Sequence, residues 1–234
     1  MPMRQPRLLA AACLILALAA RAQHAPAAGP LLHSDDFTRG LAQWTAELEK
    51  PGKILARDGV LEIDAPGGCT LWFRPELSGP VLIRYEATPI QAGGPNDRVS
   101  DMNAFWMATD ARSPLDLFAT KRSGAFADYN QLRAYYVGQG GNTDTTTRFR
   151  RYIGDPQLRP LLPEHDLQSR DTLLQPNVRR RVELVADGSR IQYYCDGRLL
   201  FDFRDPQPYT RGRFAFRTVD SHFEIRRFRV YRAR

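Results

Sequence analysis

Apolar and polar residues alternate along this chain in short runs, broken by turn residues, and a helical period is nearly absent. Such a pattern predicts strands. Val60-Leu61-Glu62-Ile63-Asp64 alternates after the turn Asp58-Gly59, and Thr70 to Phe73 and Val81 to Ala87 follow. Next come Asn103 to Ala108, Leu132 to Gly138 and Thr145 to Tyr152. Arg181 to Ala186, Ile191 to Cys195 and Leu199 to Phe203 are joined by Asp187-Gly188 and Asp196-Gly197. Asp-Gly pairs accept positive φ and close tight hairpins. Phe214 to Thr218 and Phe223 to Tyr231 end the series. The pattern predicts roughly ten to fourteen strands in two stacked antiparallel sheets, an all-β jelly-roll sandwich.

The N-terminus reads differently. Arg4 and Arg7 precede the apolar run Leu8 to Ala20, and Ala20-Arg21-Ala22 has small residues where a signal peptidase cleaves. Residues 1–22 are therefore expected to be a signal peptide, 23–30 a short linker and 31–234 one sandwich domain. The run falls short of the roughly 20 apolar residues of a membrane span. A periplasmic or secreted monomer, free of the membrane after cleavage, is expected.

Charge then changes the picture less than it first suggests. The 234 residues carry 33 Lys and Arg against 26 Asp and Glu, a net charge of +7. Cleavage removes three arginines and no acid, which leaves about +4. Basic residues interleave with acids, the cluster Arg179-Arg180-Arg181 sits at a strand entrance, and export separates the chain from DNA. Nucleic acid is excluded as a partner on these grounds. Cys69 and Cys195 survive processing, and both a disulfide and two buried thiols fit their positions on apolar strand faces.

From Gly93 to Asp166 the text becomes dense in Asn, Asp, Arg, Tyr and Trp, which packing alone does not require. Several segments resemble a bacterial family of secreted concanavalin A-like (lectin/glucanase) proteins of uncharacterised function, often described as YesU-like. They are Asp35-Asp36-Phe37 with Trp44, Asp64-Ala65-Pro66, Gly94 to Asp101, Phe105 to Asp110 and Tyr135 to Gly138. Gly141-Asn142, Thr145 to Arg150, Leu162 to Asp166, the hairpin Ile191 to Phe203 and Phe228 to Tyr231 add to it. The resemblance implies the concanavalin A-like fold and a polysaccharide or oligosaccharide as partner, and it names no reaction.

Two enzymatic signatures of that fold are incomplete. Glu62-Ile63-Asp64 opens like a glucanase strand, but Ala65-Pro66-Gly67 stands before the second Glu. Arg181-Val182-Glu183-Leu184 opens like an alginate-lyase strand, and no Gln-x-His follows.

The candidate site residues come from alternation within the polar middle. Arg133 and Tyr135 share one face of a strand, with Leu132, Ala134 and Tyr136 on the other. If that second face is core, Arg133 neutralises a uronate carboxylate and Tyr135 moves the proton of a β-elimination. His165, flanked by Glu164 and Asp166, is a second proton carrier or a loop staple. Arg148 and Arg150 share a face opposite Phe149 and would join Arg133. Asn96, Asp97, Arg98, Asp101, Asn103, Trp106 and Asn142 complete a sugar-binding set, Trp106 by stacking on a sugar ring unless it is a core residue of the sandwich. The expected function is a polysaccharide lyase-like protein on an acidic glycan. A glycoside hydrolase using Asp97, Asp101 or Glu164 and a non-catalytic glycan-binding module are the alternatives. No catalytic metal or cofactor is expected, and Asp35, Asp36 and Asp220 are the candidates for structural calcium.

Overall fold

The computed structural model describes residues 25–234. The segment read as a signal peptide lies outside the described residues. The first strand, β1 (Ala28–Asp35), begins inside the stretch read as a linker. Then come β2 (Trp44–Leu48), β3 (Lys53–Arg57), β4 (Val60–Phe73), β5 (Leu77–Ser78), β6 (Val81–Pro89) and β7 (Met102–Asp110). The second half contains β8 (Leu132–Gly140), β9 (Thr146–Ile153), β10 (Asp166–Leu167), β11 (Arg180–Asp187), β12 (Arg190–Cys195), β13 (Arg198–Arg204) and β14 (Arg211–Ala233). Short 3-10 turns at Leu117–Ala119 and Phe126–Tyr129 lie between β7 and β8.

Two of the three Asp-Gly pairs close hairpins as their residues dictate, while at the third Asp187 pairs with Arg190 and the turn is Gly188-Ser189. Arg57 pairs with Val60 around Asp58 and Gly59, both at positive φ, and Cys195 pairs with Arg198 around Asp196 and Gly197 in the same way. Two strands are longer than their alternation predicts. Residues 60–64 and 70–73 belong to one 14-residue strand, β4, and Phe214 to Tyr231 lies within the 23-residue β14. Gly67 (φ 84°) and Asp220 (φ 44°) interrupt the alternation without ending the pairing, and β14 shifts register between Val219 and Ser221.

These two strands join two antiparallel layers. The first half of β14 pairs with β7 and with the end of β4, which also carries β2. Strands β8, β9 and β10 extend that layer outward from β7. The second half of β14 pairs with β6 and β1, and β6 leads on to β11, β12 and β13. The main core, with Trp44, Leu71, Tyr85, Trp106, Phe149, Tyr193, Phe216 and Phe228, draws on both layers. The architecture is an all-β, concanavalin A-like jelly-roll sandwich.

A second apolar cluster lies on the opposite side of the β7–β8–β9 layer. Trp72, Phe105, Tyr136, Tyr152 and Ala215 meet Leu117 and Tyr129 there. Residues 111–131 thus cover part of that face, and the layer is buried on both sides where they do. Cys69 and Cys195 are both free and buried. Burial pushes the Cys69 thiol up to about 12, against the Arg217 charge, and that of Cys195 to about 11.

Candidate functional site

The open part of this outer face is a groove beside residues 111–131. Its cavity of about 410 Å³ is lined by Asn103, Phe126, Tyr136, Arg148, Arg150 and Arg159, with Asp101, Gly138 and Asn142. Strand register builds it in rows. Arg217 lies opposite Asn103, Asn103 opposite Gly138, Gly138 opposite Arg148 and Arg148 opposite Asp166. The neighbouring row runs Ala215, Phe105, Tyr136, Arg150. Residues opposite one another in a sheet point to the same side. Side chains from five strands therefore meet there, though they lie far apart in sequence.

Charge in the groove is unevenly matched. Arg148 forks onto Asp166, Nε to Oδ1 and Nη2 to Oδ2, each at 2.9 Å. Arg150 has no carboxylate partner among the described residues, and its Nη1 donates to the Arg159 carbonyl. Burial, together with Arg159 and Arg148 close by, lowers its pKa. Arg159 lies 5.5 Å from the centre of the Phe126 ring. Burial holds the Tyr136 phenol well above its ordinary value, and Tyr152 and Asp101 add to the effect.

Of the residues singled out in the sequence, Asp101, Asn103, Asn142, Arg148 and Arg150 line this groove. Three others are in the core. Tyr135 is fully buried on the inner face, where its hydroxyl donates to Asp205 Oδ2 at 2.7 Å and accepts from the Tyr209 amide. Burial first, then the bond to Asp205, raises its pKa, so it does not serve as a surface base. Trp106 is fully buried, 5.6 Å from Tyr135 between ring centres, and reaches no sugar. His165 presents its ring to Phe149 at 4.9 Å and to Phe203 at 5.7 Å, and burial lowers its pKa. It is a neutral packing residue. Arg133 is exposed at the start of β8, on the Tyr135 side, and lies against Gly154. Leu132, Ala134 and Tyr136 face outward, and Tyr135 faces the main core. Both faces of β8 are apolar, because residues 111–131 cover the outer one.

Asn96, Asp97 and Arg98 sit beside the groove rather than in it. Arg98 Nη2 donates to Asp101 Oδ2 at 2.6 Å and to the Val219 carbonyl at 2.8 Å, which holds the groove edge. Asn96 donates to Asp64 at 2.8 Å. Asp97 accepts the amides of Ala92 (2.6 Å) and Gly94 (2.9 Å) and binds His222 Nδ1 at 2.7 Å. Those amides, foremost, and His222 lower its pKa to about 2. A depressed carboxylate contributes stability above its unfolded value, about 3.9, and that contribution disappears as pH falls towards the folded value. Amide exchange at Ala92 and Gly94, taken relative to the intrinsic rate at each pH, is therefore expected to accelerate between about pH 4 and 2 in the native chain. In Asp97→Asn it is expected to be fast already at neutral pH. Protection unchanged down to pH 2 would contradict this role.

Glu62, Asp64 and His222 place one ligand atom each within 4.8 Å, the one such group among the described residues. Lys53 already pairs with Glu62 at 2.7 Å, and Asp97 holds the other His222 nitrogen. The carboxylates expected to hold calcium are not assembled. Asp35 accepts from Trp44 Nε1, Gln43 Nε2 and the Phe37 amide, Asp36 binds Thr38, and Asp220 binds the Gly67 amide.

Sequence reasoning passed over Tyr136, Phe126, Arg159 and Arg217. Arg217 had a visible signal, a lone cation within the apolar run Phe214 to Phe216 and Thr218. Phe126 and Arg159 lie in irregular segments where alternation carries no information.

Among solved structures the fold is similar to a Bacillus subtilis protein of unknown function with a galectin-like fold, at 18% identity. That match covers 89% of this chain and 98% of the other, with a TM-score of 0.70. It is also similar to a carbohydrate-binding module from Bacillus subtilis, at 11% identity, 82% and 96% coverage and a TM-score of 0.54. β-Agarase B from Zobellia galactanivorans gives 12% identity, 91% and 96% coverage and a TM-score of 0.55. No curated protein matches the sequence. Residues 63–228, well over half of the chain, match the family described as a domain of unknown function, DUF6250. This chain belongs to the DUF6250 family, here a jelly-roll sandwich with an arginine-lined groove on its outer face.

Proposed function

We propose that this is an exported carbohydrate-active protein whose groove binds an acidic, uronate-containing glycan. The observation that carries the reading is the groove itself: among the described residues Arg150 and Arg159 have no carboxylate ion-pair partner, and they stand beside the aromatic rings of Phe126 and Tyr136. Guanidinium groups bind carboxylates in forked geometry, and aromatic faces take the apolar side of a sugar. Similar folds in a carbohydrate-binding module and an agarase support a glycan as ligand. The signal-like N-terminus and the YesU-like segments fit the same reading.

If the groove is catalytic, β-elimination suits it better than hydrolysis. Asp101 is held by Arg98 and Ser100, Asp97 lies outside the lining and Glu164 is exposed, so no free carboxylate pair of the described residues flanks the cavity. Tyr136 then stands where Tyr135 was expected: its raised pKa keeps the phenol protonated, so it donates to the leaving oxygen, while the proton of the uronate C–H passes to solvent water.

Binding to pectin, alginate and ulvan, with neutral galactan as control, tests the reading. Arg150→Ala is expected to weaken binding of the acidic glycan about tenfold, the scale of one charged hydrogen bond, with no effect on galactan. A rise in ultraviolet absorbance reports the unsaturated uronate of a lyase. Equal affinity for acidic and neutral glycans would remove the basis of the proposal.

A further inference from the structure

Arg217 is a cation without a counter-ion among the described residues. It is 1% exposed. Its Nη1 donates to Thr70 Oγ1 at 2.7 Å and to the Gly124 carbonyl at 3.0 Å. Nε and Nη2 have no hydrogen-bond partner, and no carboxylate pairs with Arg217 among the described residues. Its guanidinium stands 4.9 Å from the Phe126 ring centre and 4.6 Å from that of Tyr129. The rings offset part of the lost hydration, but a buried cation with two idle donors is costly to keep.

The residue opposite it on β7 is idle in the complementary sense. Asn103 is 4% exposed, and its Oδ1 has no partner. Asn103 and Phe126 both line the groove, and the half-exposed Phe126 ring packs against Arg217. Gly138, next in the row, keeps space open: a Cβ there would lie 2.9 Å from Tyr136 Oη and 3.2 Å from Asn103 Oδ1.

We propose that Arg217 and Asn103 form a deep subsite that recognises the carboxylate of a bound uronate when Phe126 turns aside. The inference rests on the groove's being the glycan site. The carboxylate accepts from Arg217 Nε and Nη2, two parallel donors on one edge of the planar guanidinium. A neighbouring sugar hydroxyl donates to Asn103 Oδ1. Arg217 is then the residue that distinguishes acidic from neutral sugars at this position, and Phe126 covers it until a ligand arrives.

The test follows arginine Nε–H resonances of the full chain by ¹H–¹⁵N NMR during titration with uronate trisaccharides (galacturonate, mannuronate and glucuronate) and with neutral galactotriose. The Arg217 signal is assigned by its loss in Arg217→Gln. It is expected to shift and saturate with a uronate trimer and to stay in place with galactotriose. Arg217→Gln is expected to weaken uronate binding about tenfold and leave galactotriose binding unchanged. If that variant does not fold, Thr70→Val, which removes the acceptor at Nη1, identifies the signal instead. A silent Arg217 while Arg148 and Arg150 respond to the uronate would overturn this inference and leave the groove reading intact. No response from any arginine to any uronate would overturn both.

Discussion

Arg122→Met is expected to destabilise the fold by about 3–5 kcal/mol, the range for removing one partner of a buried ion pair. The Arg122 side chain is entirely buried and bonds three groups. Nη2 and Nε donate to the two Glu47 oxygens at 2.9 and 3.1 Å, Nη1 to Asp110 Oδ2 at 2.9 Å, and Nη2 also to the Leu117 carbonyl. Burial alone would raise the Asp110 pKa, yet Arg112 and Arg122 hold it below the ordinary value. Methionine matches the volume and supplies no donor, so both carboxylates lose their shared cation. Tyr129 and Trp72 still donate to Glu47, at 2.7 and 2.9 Å, and Arg112 still forks onto Asp110. Those bonds keep the loss within the stated range. The network ties residues 111–131 to β2 and β7, so amide exchange over 117–129 is expected to quicken as well. Urea unfolding of the variant measures the first effect. A loss under about 1 kcal/mol, the worth of a surface pair, would show that the network is not structural. Arg122→Lys should recover only part of the loss, because an ammonium lacks the planar fork.

The second large effect is expected from Gly124→Ala, at about 3 kcal/mol, from a positive-φ penalty and an overpacking term together. Gly124 has φ of +94°, and its added Cβ would lie 2.3 Å from the Glu49 nitrogen and 2.6 Å from the Leu48 carbonyl carbon. Both are backbone atoms at the end of β2 and have no rotamer to change. β4 approaches the same segment from the other side, since a Cβ on its Gly68 would meet the Gly124 carbonyl oxygen at 2.2 Å. That oxygen also accepts from Arg217. Alanine at 124 should therefore push the covering segment off β2 and loosen Phe126 over Arg217. Thermal unfolding reads the stability loss. Solvent exchange at the Arg217 Nε–H reads the uncovering. A native-like melting temperature together with native exchange would refute both halves of the prediction.

Much of the frame was legible in local residue order. The Asp-Gly pairs at 58–59 and 196–197 demand positive φ, and they close the hairpins they predicted. Period-two alternation correctly put Arg148 and Arg150 on one face of β9 and Phe149 on the other. It split β4 and β14 because Pro66 to Gly68 and Val219 to Ser221 break the alternation where the strands change layer, while hydrogen bonding continues.

Alternation says which side chains share a face, but it is symmetric between the two faces. On β8 both carry aromatic residues, Tyr135 inward and Tyr136 outward, and only the covering segment 111–131 makes the outer one apolar. That is why alternation alone lets Tyr135 face a ligand, whereas it lies in the core beside Trp106. The rows that build the groove had no local signal either. Arg217 and Asn103 are more than a hundred residues apart in sequence and become neighbours through strand register alone. Thus the sequence by itself determined the strand character, the hairpins and the polar middle, through backbone preference and side-chain period. The tertiary structure decided which face holds the groove and which arginines lack a partner, because burial and charge pairing depend on contacts between distant segments.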